Sequence, residues 1–129
     1  MALFGGISNR IRISLAREWE LQVIHIASGQ PYSETVDCRM AAGAAVFLPT
    51  TMTGTHLVIY SAIEEDNAYW PVYNENALLA VITVGANRVV TLPSNIFPLG
   101  FIRLASASNA TGTLANEGAE RTMVMVLKP

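Results

Sequence analysis

Trp19-Glu20-Leu21-Gln22-Val23-Ile24-His25-Ile26, closed by Ser28-Gly29-Gln30-Pro31, is the stretch on which the fold turns. Trp19, Leu21 and Val23 fall on one face at period two, with Glu20 and Gln22 on the other, which is strand spacing. The turn residues end the run at a strand-like length. Working outward, the same pattern repeats. Residues 32–38 alternate, with Tyr32, Val36 and Cys38 set against Ser33, Thr35 and Asp37, and Glu34 the polar exception in the apolar register. Residues 44–48 stop at Pro49, which has no N–H for a central ladder. Residues 56–62 are the next apolar run, followed by the acidic tip Glu64-Glu65-Asp66-Asn67 and the aromatic segment Tyr69-Trp70-Pro71-Val72-Tyr73.

Residues 78–84 and 88–92 are two β-branched runs joined by Gly85-Ala86-Asn87, which predicts a hairpin. Residues 93–98 predict one short helical turn over Phe97, and residues 101–105 and 122–127 two further strands. The Ser-, Asn-, Ala-, Thr- and Gly-rich stretch 106–118 is expected to be a long, mobile loop. Eight or nine strands in about 110 residues, with no alternation of strands and helices, predict an all-β fold. The expectation is an antiparallel jelly-roll-like β-sandwich of about eight strands over residues 19–129, preceded by an arm at 1–18.

Composition bounds what such a domain does. Of the 129 residues 51% are apolar and only 14% charged, with a mean hydropathy of +0.35. Soluble domains carry about 25% charged residues, so part of this surface is expected to be covered by a partner, and an oligomer is predicted. A net charge of −2 offers no basic field for nucleic acid. The uncharged stretch 40–63 is broken by Gly43, Pro49, Gly54 and His56, so no membrane helix is expected there. The first residues lack the pattern of a secretory signal, and synthesis in a cytoplasm is expected. A single cysteine, Cys38, excludes an internal disulfide.

No catalytic motif occurs, and neither an enzyme nor a cofactor is expected. His25 and His56 would need to meet a carboxylate such as Glu34 or Asp37 to hold a metal, and hydrogen-bonded sheet histidines are the expected reading. Cys38 follows Val36 on one face and is expected to be a buried, inert thiol. The three carboxylates Glu64, Glu65 and Asp66 lack calcium-loop spacing and read as a solvated tip. The aromatics Tyr60, Tyr69, Trp70 and Tyr73 are expected mainly in the core, with a subunit contact or a sugar platform as the other readings. In the arm, Ile7, Ile11 and Leu15 could form a helical stripe, while Ile11, Ile13 and Leu15 could equally alternate in a strand. Arg10, Arg12 and Arg17 make it locally basic, which suits either a solvated terminal segment or an arm docking on a neighbouring subunit.

The order of segments resembles the small jelly-roll cement, or decoration, proteins of tailed bacteriophage capsids. The likeness is carried by Ile26-Ala27-Ser28-Gly29-Gln30, Ser33-Glu34-Thr35-Val36-Asp37, Phe47-Leu48-Pro49 and Thr53-Gly54-Thr55-His56-Leu57-Val58. It continues through Pro71-Val72-Tyr73, the segment from Val84 to Leu92, Phe101-Ile102-Arg103-Leu104 and Ala119-Glu120-Arg121-Thr122. The loop after Ala62 departs from the family pattern, carrying Glu64-Glu65-Asp66-Asn67 where an Asp-Gly turn is usual, and the arm is longer. The resemblance implies a non-enzymatic homotrimer on the outer capsid surface of the virion, bound to the major capsid protein at capsomer junctions and reinforcing the head against internal DNA pressure. From charge and hydropathy, neither a nucleic-acid nor a membrane partner is expected. Phe4, Ile7, Arg10, Ile11, Arg12, Tyr69 and Trp70 are the expected interface residues. A receptor- or glycan-binding head domain of a phage fibre or tail is the alternative, with Tyr69, Trp70 and the 106–118 loop as its working surface.

Overall fold

The computed structural model describes residues 10–13, 19–65, 68–74, 78–85, 88–92 and 100–128, and every regular element among them is a strand. These are β1 (Arg10–Ile13), β2 (Trp19–Ile26), β3 (Val36–Asp37), β4 (Gly43–Phe47), β5 (His56–Ala62), β6 (Trp70–Pro71), β7 (Val81–Thr83), β8 (Val89–Thr91), β9 (Phe101–Ala107) and β10 (Arg121–Lys128). The first sheet runs β1-β2-β10-β4-β8 and the second β3-β9-β5-β6, all antiparallel. β6 and β7 share the edge of β5 that β9 leaves free, β7 at His56–Val58 and β6 at Tyr60–Ser61.

Counting β6 and β7 as one rank and setting β1 aside leaves two four-rank sheets. From β2 to β5 the chain passes from sheet to sheet at every step. It stays in the second sheet through β6 and β7, then crosses again to β8, β9 and β10. That is the jelly-roll order, in which long connections close both sheets over one core. Ile24, Ile26, Val46, Met123, Met125 and Leu127 of the first sheet face Val36, Cys38, Leu57, Ile59, Ile102 and Leu104 of the second, all buried. Each large aliphatic side chain so buried stabilises the fold by about 1.5–3 kcal/mol.

Several expectations need correction. Residues 78–84 and 88–92 do not form a hairpin: β7 lies on β5 and β8 on β4, in opposite sheets. A short glycine-containing link can cross between sheets as readily as it can reverse within one, and β4 and β5 each had an edge to fill. On β2 the inward face carries Gln22, Ile24 and Ile26, whereas Val23 faces outward with Val124 and Phe47 in adjacent strands. Gln22 is accommodated inside by donating from Nε2 to the Asp37 carbonyl at 3.5 Å.

The alternation of 32–38 breaks at Glu34. Ser33 is buried while Tyr32 is half-exposed, and only Val36–Asp37 is regular strand. The Ser33 hydroxyl accepts from the Leu104 amide at 3.0 Å and donates to the Glu34 carbonyl at 2.8 Å. Residues 10–13 of the arm pair with β2, Ile11 opposite Leu21 and Ile13 opposite Trp19, so these four residues are strand. The short turn expected at 93–98, with Phe97, lies outside the described residues.

Candidate functional site

Two polar constructions stand out, and each includes an arginine. The first closes one end of the sandwich. Glu117, in the long loop before β10, is 1% exposed. Its carboxylate accepts from the amides of Thr53 at 2.8 Å and Gly54 at 2.9 Å, from the Ser106 hydroxyl at 2.5 Å and from Arg121 Nε at 2.9 Å. Burial pushes its pKa up, but these donors outweigh burial and hold the group below the usual carboxylate range. Arg121 also donates to Thr53 Oγ1 at 3.3 Å. Gly54 fits because it has no Cβ: one placed there would lie 2.0 Å from Ser106 Oγ and 3.0 Å from the Ala107 carbonyl. From the turn after β2, Gly29 (φ 80°) directs its amide to the Glu117 carbonyl at 2.7 Å. The 106–118 stretch thus begins as the last two residues of β9 and is tied at Glu117 to two other loops. Among the described residues no buried side-chain polar atom lacks a hydrogen-bond partner, so this node is structural and complete.

The second construction covers the outer face of the second sheet. Residues opposite one another in an antiparallel pair point to the same face. Arg103 stands opposite Tyr60, which stands opposite Pro71, and Tyr32 bridges Ala105, which stands opposite Val58 and through it Val81. Tyr73 bridges Leu79, two residues before Val81 and so on the same face. Behind them Val58, Ala105 and Ala107 form a small second core, with Tyr60, Leu79 and Val81 packed against it. Loop 108–114 covers one end of that cluster. There the Cβ position of Gly112 falls 2.6 Å from Leu79 Cδ2, and Leu114 bridges Ala107.

All four tyrosines of the chain gather on this face. Tyr32 and Tyr60 meet edge to face, 5.3 Å between centroids. Burial, then Tyr32 and Tyr73, push the Tyr60 hydroxyl above its ordinary pKa. Tyr69 lies over Arg103, whose guanidinium carbon is 4.7 Å from the ring centroid, and its hydroxyl meets Thr35 Oγ1 at 3.0 Å and donates to the Glu65 carbonyl at 3.1 Å. Arg103 Nε donates to Thr35 Oγ1 at 3.3 Å. Among the described residues no carboxylate lies within ion-pair distance of Arg103.

Over most of the chain, this fold is similar to that of the SPBc2 prophage-derived protein YomS, known from a crystal structure. The TM-score is 0.53 and the identity 11%, over 91% of this chain and 97% of that one. At that identity the likeness is one of fold. No protein-family model matches the chain, and no curated protein matches it.

The residues singled out from sequence scatter over these constructions. Tyr69 joins the tyrosine face. Trp70, 72% exposed, stands opposite Ser61 on the other register of β5. The expectation of mainly core aromatics fails for Trp70 and for Tyr73, which is 57% exposed. Arg10, Ile11 and Arg12 lie in β1, while Phe4 and Ile7 fall outside the described residues. The histidines separate: His25 Nδ1 meets Glu34 at 2.8 Å, whereas His56 is in the other sheet beside Thr55 Oγ1 at 2.9 Å. The described residues hold no group of three metal-ligating side chains. Cys38 is fully buried, and burial, then Asp37 and Glu20, push its thiol up to about 12. It should therefore resist an aromatic disulfide reagent at pH 8 in the native protein and react once unfolded; native reaction at the rate of a free thiol would contradict its placement. Sequence reasoning missed Glu117 and Arg103. The only signal for Glu117 was a lone acid in a neutral loop with an arginine four residues on.

Proposed function

We propose that this chain is a non-catalytic cement protein of a tailed-phage capsid. It binds the major capsid protein on the outer surface at capsomer junctions as a homotrimer and braces the head against internal DNA pressure. The observation that carries the reading is the jelly-roll order over β2–β10, in which the described parts of the motifs quoted for the cement-protein likeness lie on the strands and the loops that join them. Thr53-Gly54-Thr55 and Ala119-Glu120-Arg121-Thr122, distant in sequence, meet at the Glu117 node. The fold shared with a prophage-derived protein and the low charge of the chain support the same reading.

In this role the protein adds buried area across a joint. Even about 1.4 kcal/mol on a rupture barrier slows rupture roughly tenfold. Residues 1–18 act as the attachment arm, with Phe4, Ile7, Arg10, Ile11 and Arg12 on the capsid, and the exposed Trp70, which lies off the tyrosine face, at a subunit contact. The test is heat and osmotic challenge of particles with and without the protein at matched genome length, with cryo-EM of the complete particles. The expected result is density at capsomer junctions and lower survival of deficient particles. Equal survival, with deficient particles failing to adsorb to cells, would replace this reading with the receptor-binding alternative.

A further inference from the structure

We propose that the tyrosine face of the second sheet is a binding site for an acidic saccharide, whose carboxylate sits on Arg103 and whose rings lie against Tyr60 and Tyr73. Arg103 has no carboxylate partner among the described residues. Arg121 is paired with Glu117 and the exposed Arg39 with Asp37, at 2.9 Å and 2.8 Å. Arg103 is half-buried in mid-sheet, where a guanidinium gives up water, yet its contacts are one hydroxyl and one ring. Nε is used by Thr35 and one face of the group by Tyr69, so the terminal nitrogens remain to donate. A carboxylate is the acceptor whose planar geometry matches that pair.

The surroundings select the rest of the ligand. One cation stands among four phenols, with Thr35 beside it and no second basic side chain bonded into the group. A partner with many charges would meet one arginine only. A molecule with one carboxylate, many hydroxyls and apolar C–H ring faces matches one guanidinium, several hydroxyls and several aromatic rings, which is the chemistry of a uronic or sialic acid unit. The apolar base beneath, Val58, Ala105 and Val81, holds the platform from behind, so its geometry is set before a ligand arrives. The site is independent of attachment to a capsid, and neither reading falls with the other.

The full-length protein is titrated with oligosaccharides ending in glucuronate, galacturonate or N-acetylneuraminate, with their neutral counterparts, and with sodium acetate. Amide and arginine side-chain NMR shifts follow the binding. At least one acidic sugar should shift the signals of Arg103, Tyr60 and Tyr73 at concentrations up to about 10 mM, with its neutral counterpart binding at least about tenfold more weakly. Arg103→Gln should weaken that binding about tenfold or more, and Tyr73→Ala, at an exposed position, severalfold. No binding by any acidic sugar, equal binding by the neutral counterpart, the same shifts with acetate, or binding unchanged in Arg103→Gln would each overturn the proposal. So would a loss of particle attachment in Arg103→Gln without saccharide binding, which would make the occupant of this face a protein.

Discussion

Arg121 and Arg103 sit in the same sandwich, and the protein treats them in opposite ways. Arg121 meets a buried carboxylate that has already collected two backbone amides and a hydroxyl, so the buried polar side-chain atoms at that end are spent on the fold. Arg103 meets a ring and a hydroxyl and keeps donors in hand. A satisfied cation inside a protein holds segments together; an incompletely satisfied one on a face is available to a partner. The contrast separates the residues that build this fold from those that could work.

The largest expected effect lies at the satisfied end. Glu117→Ala leaves Arg121, two amides and a hydroxyl facing an emptied site, and should cost about 3–5 kcal/mol in urea denaturation. A loss under about 1 kcal/mol would mean the node is ornamental. The same node sets a pH dependence. Because the folded-state pKa of Glu117 is depressed, its contribution is fully present above the unfolded-state value, about 4.3, and is lost as pH falls through the lower folded value. Urea midpoints of the wild type should drop across that acid window, and Glu117→Gln should flatten the drop.

Next in size is Gly54→Ala. Its new methyl must displace Ser106 or the β9 backbone, at about 1–3 kcal/mol. An unchanged midpoint would show that β9 yields more easily than its ladder to β5 implies. Deleting residues 1–17 comes after that. It removes β1 from the edge of β2 but leaves all eight jelly-roll ranks, so β-type circular dichroism should persist with a small fall in midpoint while particle occupancy falls. Unfolding on truncation would instead make β1 part of the essential sandwich.

Trp19–Ile26 and His56–Ala62 were legible to the residue as strands, the first from its alternation closed by turn residues and the second from its apolar run. The pairing of strands was not. Gly85-Ala86-Asn87 reads as a hairpin, and only the vacant edges of β4 and β5 send its flanking runs to different sheets. Glu34 interrupts the alternation of 32–38, and from there the phase shifts so that Ser33 enters the interior in place of Tyr32. The candidate site was least visible. Tyr32, Tyr60, Tyr69 and Tyr73 are spread over forty-two positions and come together only through the registers of β5 with β6, β7 and β9. Glu117 sits in a stretch whose composition describes a loop and says nothing of which carboxylate turns inward.

The smallest stability effect is the most telling one. Arg103→Gln removes a cation that bonds only Thr35 and stacks on Tyr69, whereas Arg121→Gln strips a buried carboxylate of its cationic partner. Urea denaturation of the two variants side by side, at one pH above 6, tests the division between the arginines directly. The account predicts a loss of about 3 kcal/mol for Arg121→Gln and no more than about 0.5 kcal/mol for Arg103→Gln. Equal losses, or a larger loss at Arg103, would make the tyrosine face a part of the scaffold and contradict the distinction.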